Sequence, residues 1–265
     1  MKIIRNIIVA FALYSRIPMP IFTWKKEDME YSIAFLPFIG LVIGAIEYLC
    51  FNVSLILNIP IFVKTMIFTL IPLIITGGFH VDGFMDVNDA FNSYKSKEEK
   101  LEILKDPHIG AFSVISLVIF GGIYVSSAYL LFYGIDANKE ITHIWQSNLI
   151  VVACLSFYVS RIAGGLCSLL LKHGKKEGML HSETKDANKK SVIILIIQLI
   201  IAGIAIFAVN YFAFVCAAIC ILLFTLYFRN RCYKEFGGIT GDTAGYYITV
   251  FEGILLMCLA ILMLV

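Results

Sequence analysis

The feature that most constrains this chain is a series of apolar stretches, each long enough to cross a lipid bilayer. A spanning helix needs about 20 mostly apolar residues at a rise of ~1.5 Å each. Such stretches occupy roughly residues 31–57, 60–78, 109–133, 147–171, 192–209, 211–228 and 245–265. The apolar run from Val192 to Phe228 is too long for one helix and divides at Asn210-Tyr211, its most polar point, into a helical hairpin. Composition agrees: of 265 residues, 60% are hydrophobic and 15% charged, where soluble domains carry about a quarter charged. The expected fold class is all-α, a polytopic integral membrane helix bundle of about seven spans forming one domain over residues 1–265. No internal repeat or low-complexity tract interrupts it.

Lys and Arg set the orientation, because cytoplasmic connections of membrane proteins are enriched in them. With the N-terminus inside, Lys2, Arg5, Arg16, Lys25 and Lys26 are cytoplasmic, and so are Lys95, Lys97, Lys100 and Lys105 after the second span. Lys172, Lys175, Lys176, Lys185, Lys189 and Lys190 follow the fourth span, and Arg229, Arg231 and Lys234 the sixth. The outer connections keep only Lys64 and Lys139. The expected cytoplasmic loops are 79–108, 172–190 and 229–244, in a cell membrane, inner or plasma, with any active site facing the cytoplasm. The opening MKIIRNIIVAFALYSRIPMP has a basic start and a short apolar core but no small-x-small cleavage site. It reads as a retained interfacial or re-entrant helix.

A net charge of +2 is too small to imply nucleic acid as a partner. The seven cysteines, Cys50, Cys154, Cys167, Cys216, Cys220, Cys232 and Cys258, form no Cys-x-x-Cys pair and read as small buried apolar residues. No Ser-His-Asp spacing, phosphate-binding P-loop or dinucleotide fingerprint is present.

Three polar segments carry chemistry. In Gly77–Phe91, GGFHVDGFMDVNDAF, Asp82, Asp86 and Asp89 stand at i, i+4, i+7. On a helix this puts three carboxylates within about 60° of one another on one face. Like charges so close repel unless a cation sits among them, and Mg²⁺, held by carboxylates and substrate phosphates, is the natural candidate. Gly77, Gly78 and Gly83 allow close backbone approach. The bland alternative is a solvated acidic helix face, but Phe84, Met85, Val87 and Phe91 mark the remainder as buried. His80 is a candidate general base, with a structural role as the alternative.

The second segment, Lys105-Asp106-Pro107-His108-Ile109-Gly110, ends a polar helix and re-aims the chain; Lys105 and His108 are candidates for phosphate oxygens. The third, FGGITGDTAG over Phe236–Gly245, leads a Gly-rich stretch into the last span. Its free N–H groups suit an anion, with Gly238, Thr240, Gly241 and Thr243 as candidate contacts and Asp242 as a further metal ligand. The alternative is a capped loop. The topology, assigned from Lys and Arg alone, puts all three segments on one side. Arg16 and Arg161 lie near the same face, and an intramembrane arginine is expensive unless it meets a cavity or a phosphate. Glu47 and Glu252 are isolated and receive no role.

Taken together, GGFHVDGFMDVNDAF, KDPHIGAF and FGGITGDTAG, with the early SRIPMP and LPFIGLVIGA, resemble the cobalamin synthase family, the adenosylcobinamide-GDP ribazoletransferases. The match runs through essentially the whole chain in order, and the first and third segments are specific. Met85, Asn88 and Ser15 depart from the residues usual in the family, and none removes a carboxylate. The resemblance implies a Mg²⁺-dependent membrane transferase. In it a hydroxyl of α-ribazole, or of its 5′-phosphate, attacks the phosphate attached to cobinamide in adenosylcobinamide-GDP and GMP leaves. Asp82 and Asp86 then bridge metal and diphosphate, Asp89 is a further ligand or the base, and Asp106, Lys105, His108, Arg16 and Arg161 line the substrate. The implied partners are these two substrates and membrane lipid, with a homo-oligomer left open. Rival readings are a CDP-alcohol phosphotransferase acting on lipid, whose Ala-Arg pair this chain lacks, and a secondary transporter, which places its polar groups nearer mid-membrane.

Overall fold

A computed structural model describes residues 2–137, 148–174 and 189–264. The described chain is helical: α1 (Lys2–Tyr14), α2 (Lys26–Met29), α3 (Ser32–Ile56), α4 (Ile61–Thr76), α5 (Phe79–Asn92), α6 (Lys97–Ile103), α7 (Ala111–Ala137), α8 (Leu149–Leu170), α9 (Lys190–Val209), α10 (Tyr211–Phe236) and α11 (Gly241–Leu264). Six of these, α3 and α7 to α11, are long and apolar enough to cross a membrane. The shorter α4 makes a seventh when joined to α5, which leaves it at 92°. The protein is a multi-pass membrane helix bundle. The short apolar α1 precedes it, and Arg5 ties α1 to α2 through two 2.7 Å bonds to Asp28.

The expected division at Asn210 holds, and the residue supplies its own reason. It closes α9 and caps α10, its side-chain oxygen accepting the Ala213 N–H at 2.8 Å. The expected loops are smaller than drawn. Residues 229–236 continue α10, so the third loop shrinks to 237–240, and 79–108 contains α5 and α6. Most of 172–190, with Lys175, Lys176 and Lys185, lies outside the described residues, as does Lys139.

The core sits around α8, the most enclosed span, with α11 next. Helices in lipid approach closely where side chains are small. Gly40 and Gly44 of α3, four residues apart, lie directly on the carbonyls of Phe157 and Cys154 of α8, leaving no room for a Cβ. At the end away from α5, buried Lys64 of α4 meets Asp136 of α7 at 2.9 Å. Both charges are thus met within the bundle rather than in an outer connection, where Lys64 had been expected.

Candidate active site

The α4–α5 corner is made by Gly77 and Gly78, with φ of +66° and +79°. Two successive left-handed residues are strained for anything but glycine, and they turn the chain through the 92° bend. Arg16 docks on this corner. Its N–H donates to the Ile75 carbonyl at 2.7 Å, and its side chain fills the place a Gly77 side chain would take.

From this corner α5 packs against α11 and α7, with His80 beside Tyr124 and Glu252 and Asp89 beside Ser113 at the start of α7. Its inner face, His80, Gly83, Phe84, Val87 and Ala90, is buried. Phe84 stacks on Tyr246 of α11, and Phe91 stacks on Phe236 and meets Tyr246 edge-on. This aromatic packing fixes how α5 is rolled about its axis. The carboxylates consequently lie off this buried face: Asp82 is exposed, and Asp86 and Asp89 are half-buried.

Gly83 brings the third segment to this face. A Cβ there would stand 2.7 Å from the Asp242 carbonyl oxygen and 3.0 Å from its Cα. Gly245 does the same one turn on, at 3.0 Å from the His80 carbonyl oxygen. Asp242, in the first turn of α11 where the helix dipole favours a negative charge, is thereby held beside the aspartate helix. Gly110 of the second segment lies against the Asp89 carboxylate. Asp89 Oδ1 accepts the Ser113 N–H at 3.1 Å, and the Ser113 hydroxyl donates to the Met85 carbonyl at 3.0 Å. All three polar segments converge on α5.

This constellation belongs with the sequence comparison. Residues 6–260 match the family described as cobalamin-5-phosphate synthase. The chain belongs to that family. It is 36% identical over 253 residues to the adenosylcobinamide-GDP ribazoletransferase of Lachnoclostridium phytofermentans, covering 95% of this chain and 92% of the relative. It is 32% identical over 271 residues to the enzyme of the same name from Clostridium botulinum strain Alaska E43, covering 97% and 98%. With that of Listeria monocytogenes strain EGD-e it shares 32% over 264 residues, again covering 97% and 98%. No solved structure matches.

For a member of the cobalamin-5-phosphate synthase family, the donor set fits Mg²⁺ in one particular way. Three carboxylates at i, i+4, i+7 spread over about 10 Å of helix axis, too far for all to share one ion. Among the described residues, the group of three acid, thiol or imidazole ligands found within 4.8 Å of one another is made of cysteines, not of these aspartates. Mg²⁺ typically takes one or two carboxylates and completes its shell with water and phosphate oxygens. Neighbouring Asp82 and Asp86 suit that pattern, and the backbone of Asp242 lies against Gly83. Asp89 differs because one of its oxygens already holds the α7 N-terminus.

The other candidates separate. Thr240 and Thr243 cap each other: the Thr240 N–H donates to Thr243 Oγ1 at 2.8 Å, and the Thr243 N–H to Thr240 Oγ1 at 3.2 Å. Both are buried, and the capped-loop alternative describes their bonds. Gly238 is buried against the backbone of Lys172–Gly174, where Ile239 exchanges 2.9 Å bonds with Lys172 and Gly174. Gly241 is exposed at the helix start. Lys105 pairs with Glu102 at 2.7 Å, and His108 Nδ1 lies 2.6 Å from Asp106 Oδ1, all exposed. His108, through its backbone N–H and its ring, holds the Asp106 carboxyl below its usual range.

Arg161, expected to meet a cavity or a phosphate, lines a cavity and has its charge met within the bundle. It is 1% exposed and bonded to Glu252 Oε1 at 2.6 Å and to the Phe157 carbonyl at 2.7 Å. Its charge is answered by a glutamate on α11 that the sequence left without a role. The Ser160 hydroxyl also donates to Glu252, at 2.8 Å. His80 is buried and lines the same cavity as Arg161, Glu252 and Tyr124. It sits on the side of α5 away from the carboxylates, which favours the structural alternative over a base acting at their face. Ser113 and Glu252 were missed, since a capping contact across 24 residues and an ion pair across 91 leave no local pattern.

Proposed function

We propose that this chain transfers the cobinamide-phosphate group of adenosylcobinamide-GDP to α-ribazole or its 5′-phosphate, using Mg²⁺ held at the carboxylate face of α5. The relatives' shared name gives the reaction, and the contact of Gly83 with Asp242 carries the assignment of the site. That contact brings the backbone of the third segment against α5, which supports a shelf shared by Asp82, Asp86 and Asp242.

Asp82, Asp86 and Asp242 are the residues that would hold the ion. When bound, Mg²⁺ neutralises charge on the diphosphate and on the departing GMP. The acceptor hydroxyl attacks the phosphorus that bears cobinamide, a new P–O bond forms, and the P–O bond to GMP breaks. The hydroxyl proton passes to a carboxylate of this face, with Asp89 the candidate nearest the α7 entrance, or to water. Exposed Arg16, fixed over the α4–α5 corner, is suited to a phosphate oxygen. The Lys and Arg asymmetry supports a cytoplasmic orientation for this shelf, where a nucleotide substrate is available.

The test is GMP release by purified protein in detergent, with and without Mg²⁺, using cobinamide-GDP and α-ribazole. A CDP-alcohol donor with a lipid acceptor is run in parallel. The proposal expects Mg²⁺-dependent GMP release with the first pair only. CMP release from the second pair, or substrate uptake into proteoliposomes without conversion, overturns it.

A further inference from the structure

Three cysteines that stand apart in sequence come together in the fold. Cys216 and Cys220 lie one turn apart on α10 and Cys258 lies on α11, with all three sulfurs within 4.8 Å of one another. The Cys220 and Cys258 sulfurs are 3.7 Å apart. Three sulfurs each about 2.3 Å from a common ion stand about 4 Å apart in trigonal geometry. The cluster therefore needs adjustments of less than about an ångström to close on one ion. All three are free cysteines; Cys220 is buried and the other two are half-buried.

The surroundings decide which ion. No Asp, Glu, Lys or Arg occurs over residues 211–228 or 253–264, so nothing nearby offsets a net charge, which is costly in lipid. Hard cations such as Mg²⁺ take oxygen ligands and are not served here. Zn²⁺ in a closed site takes four ligands, and only three sulfurs are gathered here among the described residues. A soft monovalent ion displaces the proton of one thiol, which leaves to water, and the other two sulfurs bind as neutral thiols. The complex then has no net charge. Soft thiolate sulfur is also the ligand type that selects Cu(I).

We infer that Cys216, Cys220 and Cys258 form a binding site for one Cu(I)-type ion, which ties α10 to α11. The site lies near the bundle end opposite the aspartates. Cys216 is five residues from Tyr211 and Cys258 six from Leu264, about 8–9 Å along each helix. An ion reaches it from that surface without crossing the whole apolar core.

The experiment titrates reduced, detergent-purified protein with Cu(I) under anaerobic conditions against a competing Cu(I) chelator. Metal retained after desalting is then measured, along with the melting temperature. The wild type and Asp82→Asn are expected to retain one ion per chain and to melt higher with Cu(I) than without it. Cys220→Ser and Cys258→Ala are each expected to bind about tenfold more weakly or worse, and the triple serine variant not at all. Monodisperse elution establishes that each variant is folded, and for the cysteine variants unchanged GMP release without copper does so as well. Two results overturn the inference: no retention by the reduced wild type, or full retention by a folded Cys220→Ser protein. Because the readout is metal retention, it stands or falls separately from the proposed transferase chemistry.

Discussion

Asp89 caps a helix to which it does not belong. Its Oδ1 accepts the N–H of Ser113 in the first turn of α7 at 3.1 Å, so a residue read as metal ligand or base also fixes where α7 begins. Losing a capping acceptor costs about 0.5–2 kcal/mol. Asp89→Ala is expected to lower the melting temperature by a few degrees as well as activity. Asp89→Asn keeps an oxygen for the cap and is expected to keep the melting temperature while still losing activity. Thermal unfolding followed by size-exclusion chromatography separates the two effects.

Asp82 and Asp86 lie off the buried face of α5 and are not part of the buried core. Asp82→Asn and Asp86→Asn are expected to abolish GMP release while leaving membrane insertion and melting temperature unchanged. Near-normal turnover in either variant, at saturating Mg²⁺, removes the metal-shelf model.

At Gly83 a single added methyl meets the Asp242 backbone at 2.7 Å, a contact that neither chain can relieve by rotating a side chain. Gly83→Ala is expected to separate α5 from α11 and lower kcat by about tenfold or more, since misplacing reactive groups by about 1 Å can cost about a hundredfold. Gly122 has no atom within 4 Å of a would-be Cβ, and Gly122→Ala is expected to have no effect. Parallel kinetic assays of the two variants decide this.

Breaking a buried ion pair by removing one partner costs about 3–5 kcal/mol, whereas replacing both with apolar residues is often neutral. For Arg161 and Glu252, joined at 2.6 Å, Arg161→Met or Glu252→Gln alone is expected to destabilise the protein severely. The double variant Arg161→Met/Glu252→Met is expected to recover much of the loss. A double-mutant cycle on melting temperatures measures the coupling.

Arg5 holds the Asp28 carboxyl down to about 2 from its usual 3.8. A depressed folded-state value means that the α1–α2 attachment is fully present above about pH 4 and is lost as pH falls from there toward 2. Protease cleavage between residues 15 and 25, followed with an acid-active protease, is expected to accelerate over that range. Asp28→Asn is expected to show the faster cleavage already at pH 5.

Hydrophobic length was enough to find the spans, because the bilayer demands about the same run of apolar residues each time. Asn210 likewise marked its hairpin in advance. The carboxylate face of α5 could be read as well, since helical periodicity alone groups Asp82, Asp86 and Asp89. What stayed hidden was the partner of each charge. Arg161 was sound evidence that something negative or phosphate-like stood nearby, but only the packing of α8 on α11 identifies it as Glu252. Gly40 and Gly44 fit the small-residue spacing used by close-packed membrane helices, a signal that was present and not used. The three sulfurs gave no sign at all, because the third is contributed by a different helix.

The right-angle turn at Gly77 and Gly78 has a final consequence. A helix standing upright would stagger its acidic groups through successive depths, exposing some to water and sinking others in oil. Turned 92° away from α4, α5 does not prolong that span, so its acidic row runs aside from the line of the helix before it and one ligand can reach along it.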